Sequence, residues 1–119
     1  MARVLVTGGA GFLGSHVADE LASVGHSVTV LDDLTGGLKE YVPANAHFVQ
    51  GSILDRNLVA SLFAECRFEF VFHFAAFAAE GLSHFARRLT FETNVLGTTG
   101  LINEAVEHGL RGFVFASSI

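Results

Sequence analysis

The chain has one cysteine, one proline, one tyrosine, one lysine and no tryptophan among its 119 residues. Cys66 has no intramolecular partner, so neither a disulfide nor a cysteine-based zinc site can be built on it, and it reads as a small core residue. Basic residues are few: seven Lys and Arg stand against twelve Asp and Glu, for a net charge of -5. They are scattered, so no basic stripe exists to neutralise a nucleic-acid backbone, and nucleic acid is not an expected partner. No apolar run reaches the roughly 18 residues that a membrane span needs, and the start of the chain does not have the form of a signal peptide. The expectation is a cytoplasmic chain with no membrane partner. The six histidines, His16, His26, His47, His73, His84 and His108, place no two on one helical turn, and no acidic cluster accompanies them. No metal site is expected.

What is present is apolar: half the residues, with twelve phenylalanines. That suffices for one core and is too short for two, so residues 1–119 read as a single domain. Val4-Leu5-Val6 is a β-branched run that ends in Thr7-Gly8-Gly9-Ala10-Gly11, after which Leu13, His16-Val17, Glu20-Leu21 and Val24 recur at helical spacing. Gly25 suits a helix C-terminus, and a second strand, Ser27 to Leu31, ends in Asp32-Asp33. Leu34 to Ala46 holds Gly36-Gly37 and Pro43 and reads as a loop or short irregular helix before a strand at 47–50. Asp55 reads as the N-cap of a helix carrying Leu58-Val59, Leu62-Phe63 and Cys66. Phe68 to Phe74 alternates with period two, its phenylalanines on one face. A long helix from about Ser83 to Glu107 should turn Leu89, Val95, Leu101-Ile102 and Val106 inward, before a last strand from Gly112 to Ala116. Strand and helix alternate throughout, so right-handed crossovers predict an α/β Rossmann-type parallel sheet of order 3-2-1-4-5 with helices on both faces.

Gly8-x-x-Gly11-x-x-Gly14 falls between a predicted strand and a predicted helix, where a glycine loop can let backbone amides reach a pyrophosphate. One glycine permits the turn, one the approach, and Gly14 close packing of helix on sheet. Asp32, 18 residues after Gly14, stands where a carboxylate accepts hydrogen bonds from the adenosine ribose and repels a 2′-phosphate. No Arg or Lys lies between Val4 and Leu38, which favours NAD over NADP unless Lys39 swings back.

The segment from Val4 through Thr7-Gly8-Gly9-Ala10-Gly11-Phe12-Leu13-Gly14 to His16 closely resembles the opening of the extended short-chain dehydrogenase/reductase family, which includes NAD-dependent epimerases and dehydratases such as the UDP-sugar 4-epimerases. The resemblance continues through Val30 to Leu34, Val71 to Ala76, Asn94-Val95-Leu96-Gly97-Thr98 and Phe113 to Ser118. It implies that the backbone of Phe12 and Leu13 meets the pyrophosphate and that Asp32, Asp33, Leu34 and Gly36 form the adenosine-side loop. It further implies that Ser52 and Ile53 face the adenine, that Phe74, Ala75, Ala76 and Phe77 line the nicotinamide side, and that Asn94 lies near it. Ser118 resembles the catalytic serine, which in the family acts beside a Tyr-x-x-x-Lys pair.

That pair cannot exist in this chain, because Tyr41 and Lys39 are its only tyrosine and lysine. A general acid/base contributes roughly 10²- to 10⁴-fold in rate, and Ser118 alone cannot supply it at neutral pH. The family also continues with a sixth strand and a substrate domain, which are expected to be missing here. Ser52 stands where relatives usually carry an acid. His73 reads as a buried strand residue ahead of a cofactor role; Glu80, Ser83 and His84 fall where relatives contact substrate and read equally as loop and helix cap; Arg87-Arg88 reads as solvated helix surface ahead of a diphosphate contact.

Three readings follow. One is an NAD-binding module derived from an epimerase or dehydratase, either a fragment of a longer enzyme or a truncated natural product, that does not turn over alone; another is half of a split enzyme, completed by a partner chain that supplies the tyrosine, lysine and nucleotide-sugar site. The third is an interaction protein that kept the fold and lost the ligand. In each, the apolar last strand lacks a neighbour, and a symmetric homodimer across it is expected.

Overall fold

The computed structural model describes residues 1–76 and 84–117. Five parallel strands, β1 (Arg3–Thr7), β2 (Ser27–Asp32), β3 (His47–Gln50), β4 (Phe70–His73) and β5 (Gly112–Phe115), form one sheet in the order β3-β2-β1-β4-β5. Helices α1 (Phe12–Ser23) and α2 (Arg56–Cys66) follow β1 and β3. Between β4 and β5 run α3 (Arg87–Phe91), a π-helical stretch (Glu92–Gly97) and α4 (Thr98–Glu107) in direct succession.

Local chemistry sets the boundaries. Gly25, at φ +97°, ends α1: its amide bonds Ala22 O and that of His26 bonds Leu21 O, both at 3.1 Å, a Schellman closure. Asp55 caps α2 by accepting the Leu58 amide at 3.1 Å, a bond worth about 1 kcal/mol. The 34–46 segment contains a single 3₁₀ turn, Lys39–Tyr41.

Alternation along the strands divides the core. Leu5, Leu31 and Val71 join Ile53, Val59, Leu62, Phe63, Leu101 and Ala105 on the face covered by α2 and α4. Val4, Val6, Val28 and Val30 face Ala18 and Ala22 of α1. Phe70, Phe72 and Phe74 extend this second face but are only half-buried, and among the described residues its buried helical members come from α1 alone. Parallel sheets are normally covered on both faces.

Two expectations need correction. β4 begins at Phe70, and Phe68 packs with the α2 cluster instead of with the other phenylalanines, because it precedes the strand and escapes its alternation. In the long helix Leu101 is fully buried, but Leu89, Val95, Ile102 and Val106 are 44–77% exposed. The π-helical stretch shifts the helical phase, and the buried positions are Gly97, Leu101 and Ala105, whose small members let the helix sit close to Ile53 and α2. The helix starts at Arg87 with His84 in a turn before it; Ser83 lies outside the described residues. Among the described residues, no helix is long and apolar enough to cross a membrane.

Candidate dinucleotide-binding cleft

The carboxyl ends of β1, β2, β3 and β4 and the loops that follow them enclose a cleft, which is where open α/β sheets bind ligands. It is lined by Gly8, Gly11, Asp32, Asp33, Gly36, Ser52, Ile53, Phe74, Ala75 and Ala76, all singled out from the sequence. Leu31, Thr35, Gly51 and Thr93 line it too. Thr35 belongs to the expected adenosine-side loop from Asp32 to Gly37 and Gly51 to the segment before Ser52, whereas Leu31 and Thr93, adjacent to Asp32 and Asn94, are not expected from the sequence. Phe12, Leu13, Gly14, Leu34 and Asn94 do not line it, and Phe77 and Ser118 lie outside the described residues.

Gly8 adopts φ +72°, and a Cβ there would stand 2.7 Å from Ala75 N. That contact brings the glycine loop against the opposite wall. A Cβ on Gly14 would run into the carbonyl oxygen of Gly8, so this glycine serves close packing of α1 on its own preceding loop, where packing on the sheet was expected. α1 opens at Gly11 with no side-chain cap. Its first-turn amides, including those of Phe12 and Leu13, therefore remain for an external acceptor at the positive end of the helix dipole. The Phe12 and Leu13 side chains are exposed.

Asp32 is buried, and both its oxygens are engaged: Oδ2 accepts the Ala10 amide at 2.9 Å and Oδ1 the Leu34 amide at 2.8 Å. Each carboxylate oxygen retains a second acceptor site, so the group can hold the loops and still receive a hydroxyl. Leu34 donates that amide and itself adopts φ +65°, which turns the chain that follows it. Asp33 Oδ1 accepts both the amide and the hydroxyl of Thr35, at 3.0 and 2.7 Å. Leu38 N donates to Ala10 O at 3.0 Å, seating this loop on the glycine turn. The Ser52 hydroxyl accepts the Leu54 amide at 3.0 Å and keeps its proton for donation.

The sequence reading of His73 is borne out: it is 2% exposed, with Nδ1 2.6 Å from Thr7 Oγ1 and Nε2 2.8 Å from Thr98 Oγ1. Burial lowers its pKa to about 4. Arg88 pairs with Glu92 at 2.7 Å on the exposed side of the helix. Lys39 lies 6.0 Å over the Phe48 ring.

The model of the NAD dependent epimerase/dehydratase family matches residues 4–119. UDP-glucose 4-epimerase of Haemophilus influenzae is 42% identical over 97% of this chain and 36% of its own length. The Thermotoga maritima UDP-glucose 4-epimerase, solved with UDP-glucose, superposes with a TM-score of 0.96 at 39% identity, over 98% of this chain and 38% of that one. The Thermus thermophilus enzyme, solved with NAD, gives 0.93 at 41% identity, over 98% and 37%. The chain thus spans a little over a third of the length of the relatives it matches. A glycine loop against an uncapped helix, an acid at the end of β2 and near-complete superposition on the front part of these epimerases agree, and the chain belongs to the NAD-dependent epimerase/dehydratase family.

Proposed function

We propose that residues 1–119 act as one NAD-binding domain of a sugar-nucleotide epimerase or dehydratase, and that they bind the dinucleotide without completing a turnover on their own. The observation that carries this is the cleft: a glycine loop in which Gly8 and Gly14 leave no room for a Cβ, beside an uncapped helix N-terminus and a buried carboxylate. In this reading the Phe12 and Leu13 amides hold the pyrophosphate, with Gly8, Gly11 and Gly14 shaping the loop. Asp32 receives the adenosine ribose, Asp33, Leu34 and Gly36 flank it, and Ser52 and Ile53 meet the adenine. Phe74, Ala75, Ala76 and Phe77 lie along the nicotinamide half, with Asn94 nearby. NAD supplies the hydride acceptor when bound.

The Asp32 carboxylate and the lack of Arg or Lys between Val4 and Leu38 support NAD over NADP. Lys39, resting over Phe48, supports it further. Absence of turnover follows from the absence of a Tyr-x-x-x-Lys pair: Ser118 can hydrogen-bond a sugar oxygen but cannot move its proton at neutral pH. A cytoplasmic setting belongs to the same reading and accords with a lone, unpaired cysteine. The test is thermal unfolding with each dinucleotide, since a ligand that binds only the folded state raises the transition temperature. NAD⁺ should raise it more than NADP⁺, and no shift with either would count against the proposal.

A second reading, half of a split enzyme, is favoured by the half-buried Phe70 and Phe72 and by Val114 and Phe115 of the edge strand β5, which are 45% and 53% exposed. A complementing chain would cover them and bring the missing acid/base pair and the nucleotide-sugar site. Restored interconversion of UDP-glucose and UDP-galactose on mixing would support this reading; failure with the remaining part of an epimerase relative would count against it.

A further inference from the structure

Thr7 ends β1 and His73 ends β4, side by side in register and both buried. The Thr7 hydroxyl oxygen accepts the Ala75 amide at 3.2 Å and the Phe74 amide at 3.1 Å, the latter shared with the Thr7 carbonyl. Both lone pairs are then in use, and the hydroxyl has only its proton to offer the His73 Nδ1. The other side of the ring leads independently to the same tautomer. The Thr98 hydroxyl donates to the Asn94 carbonyl at 2.8 Å, since a carbonyl can only accept. Thr98 therefore receives a proton from His73, and that proton sits on Nε2. One neutral tautomer satisfies the whole line, from the Phe74 and Ala75 amides through Thr7, His73 and Thr98 to Asn94. Protonating the ring would aim a second N–H at an oxygen whose lone pairs are already used, and burial already holds the pKa near 4. The Phe113 and Phe115 rings, 6.1 and 5.7 Å away, give the imidazole an aromatic cover.

Both ends of this line reach the cleft. At one end are the amides of Phe74 and Ala75, which line it. At the other is the π-helical stretch, whose Thr93 lines it as well. Such π turns recur at functional positions because they set aside the regular ladder to place particular groups.

We propose that His73, held as its Nε2–H tautomer, is a positioning residue that works as a strut between the Phe74–Ala75 wall and the π-helical stretch and sets the width of the cleft at its nicotinamide end. The inference rests on the NAD reading above. A strut of this kind matters for the distal half of the dinucleotide and hardly at all for the adenosine half, which the β1–β2 side holds.

The test is Thr98→Val, which keeps the shape but removes the oxygen that receives the Nε2 proton, with Thr98→Ser as the conservative rescue. Calorimetric titration with NAD⁺ and with AMP separates the two halves. Thr98→Val should weaken NAD⁺ about tenfold while AMP changes less than about twofold, and Thr98→Ser should recover NAD⁺ binding, as expected for one buried hydrogen bond left unmade. Equal losses for both ligands would show a merely structural role and overturn the proposal, as would wild-type affinity for NAD⁺ in Thr98→Val. A wild-type chain that binds neither ligand overturns the NAD reading and this inference with it. Should Thr98→Val fail to fold, nitrogen-15 spectra of the wild-type His73 ring decide: a proton fixed on Nε2 supports the strut, and a proton on Nδ1 or exchange between the two overturns it.

Discussion

Asp32 Oδ2 accepts the Ala10 amide at 2.9 Å across 22 residues of chain, and so the acid that ends β2 is also the clasp of the glycine loop. Its other oxygen holds Leu34. Asp32→Asn must turn its NH₂ toward one of these two N–H donors. We expect it to cost roughly 1–3 kcal/mol in urea unfolding, the range for a buried polar group left without a partner, and to weaken NAD⁺ binding as well. Unchanged stability would mean that the clasp contributes nothing.

Gly14→Ala and Gly100→Ala form a matched pair. A Cβ on Gly14 meets the Gly8 carbonyl, whereas a Cβ on Gly100, within α4, meets nothing within 4 Å. The first should destabilise by about 1–3 kcal/mol through overpacking and abolish NAD⁺ binding. The second should be neutral or stabilise by up to about 1 kcal/mol, the helix-propensity gain of Ala over Gly. Denaturant unfolding of both variants checks this, and similar losses in the two would contradict the role assigned to Gly14.

His73 gives the fold a pH dependence of defined sign. Its pKa is lowered from 6.5 to about 4 by burial, so between those values the unfolded chain binds a proton that the folded chain refuses. Stability therefore rises with pH across that window, by at most about 1.4 kcal/mol per pH unit from this group, and the loss is complete below about pH 4. Above about pH 6.5 His73 contributes no slope. Urea midpoints measured at about pH 7 and about pH 5, with the His73 ring followed by NMR, check this. A ring that titrates near its ordinary value would contradict it.

For residues 1–119 produced on their own, we propose association through β5. Val114 and Phe115 are exposed beside it, and among the described residues β5 pairs with β4 alone. Open edges recruit strands, and a second copy is the neighbour at hand when no complementing chain is present. Sedimentation should show a symmetric homodimer that Phe115→Lys returns to monomer. A wild-type monomer at high concentration would contradict this.

The sheet order was legible because βαβ alternation and right-handed crossovers leave few arrangements, and the helix ends at Gly25 and Asp55 were legible because their chemistry is local. The glycine loop was legible for the same reason. The inward face of the long helix was not: a π-helical stretch changes the phase by adding a residue to a turn, and periodicity assumes a constant one. Nor could the sequence show that Gly14 packs on Gly8, or that Thr7, His73 and Thr98 form one directed line. The two contacts of that line join residues 66 and 25 positions apart and depend on register.

The most direct test of the central claim is calorimetric titration of the purified chain with NAD⁺ and, in parallel, NADP⁺, with Asp32→Ala as the control. The account predicts saturable binding that prefers NAD⁺ and falls in the variant. No heat at millimolar NAD⁺, or equal affinity for the two dinucleotides that Asp32→Ala leaves unchanged, would contradict it.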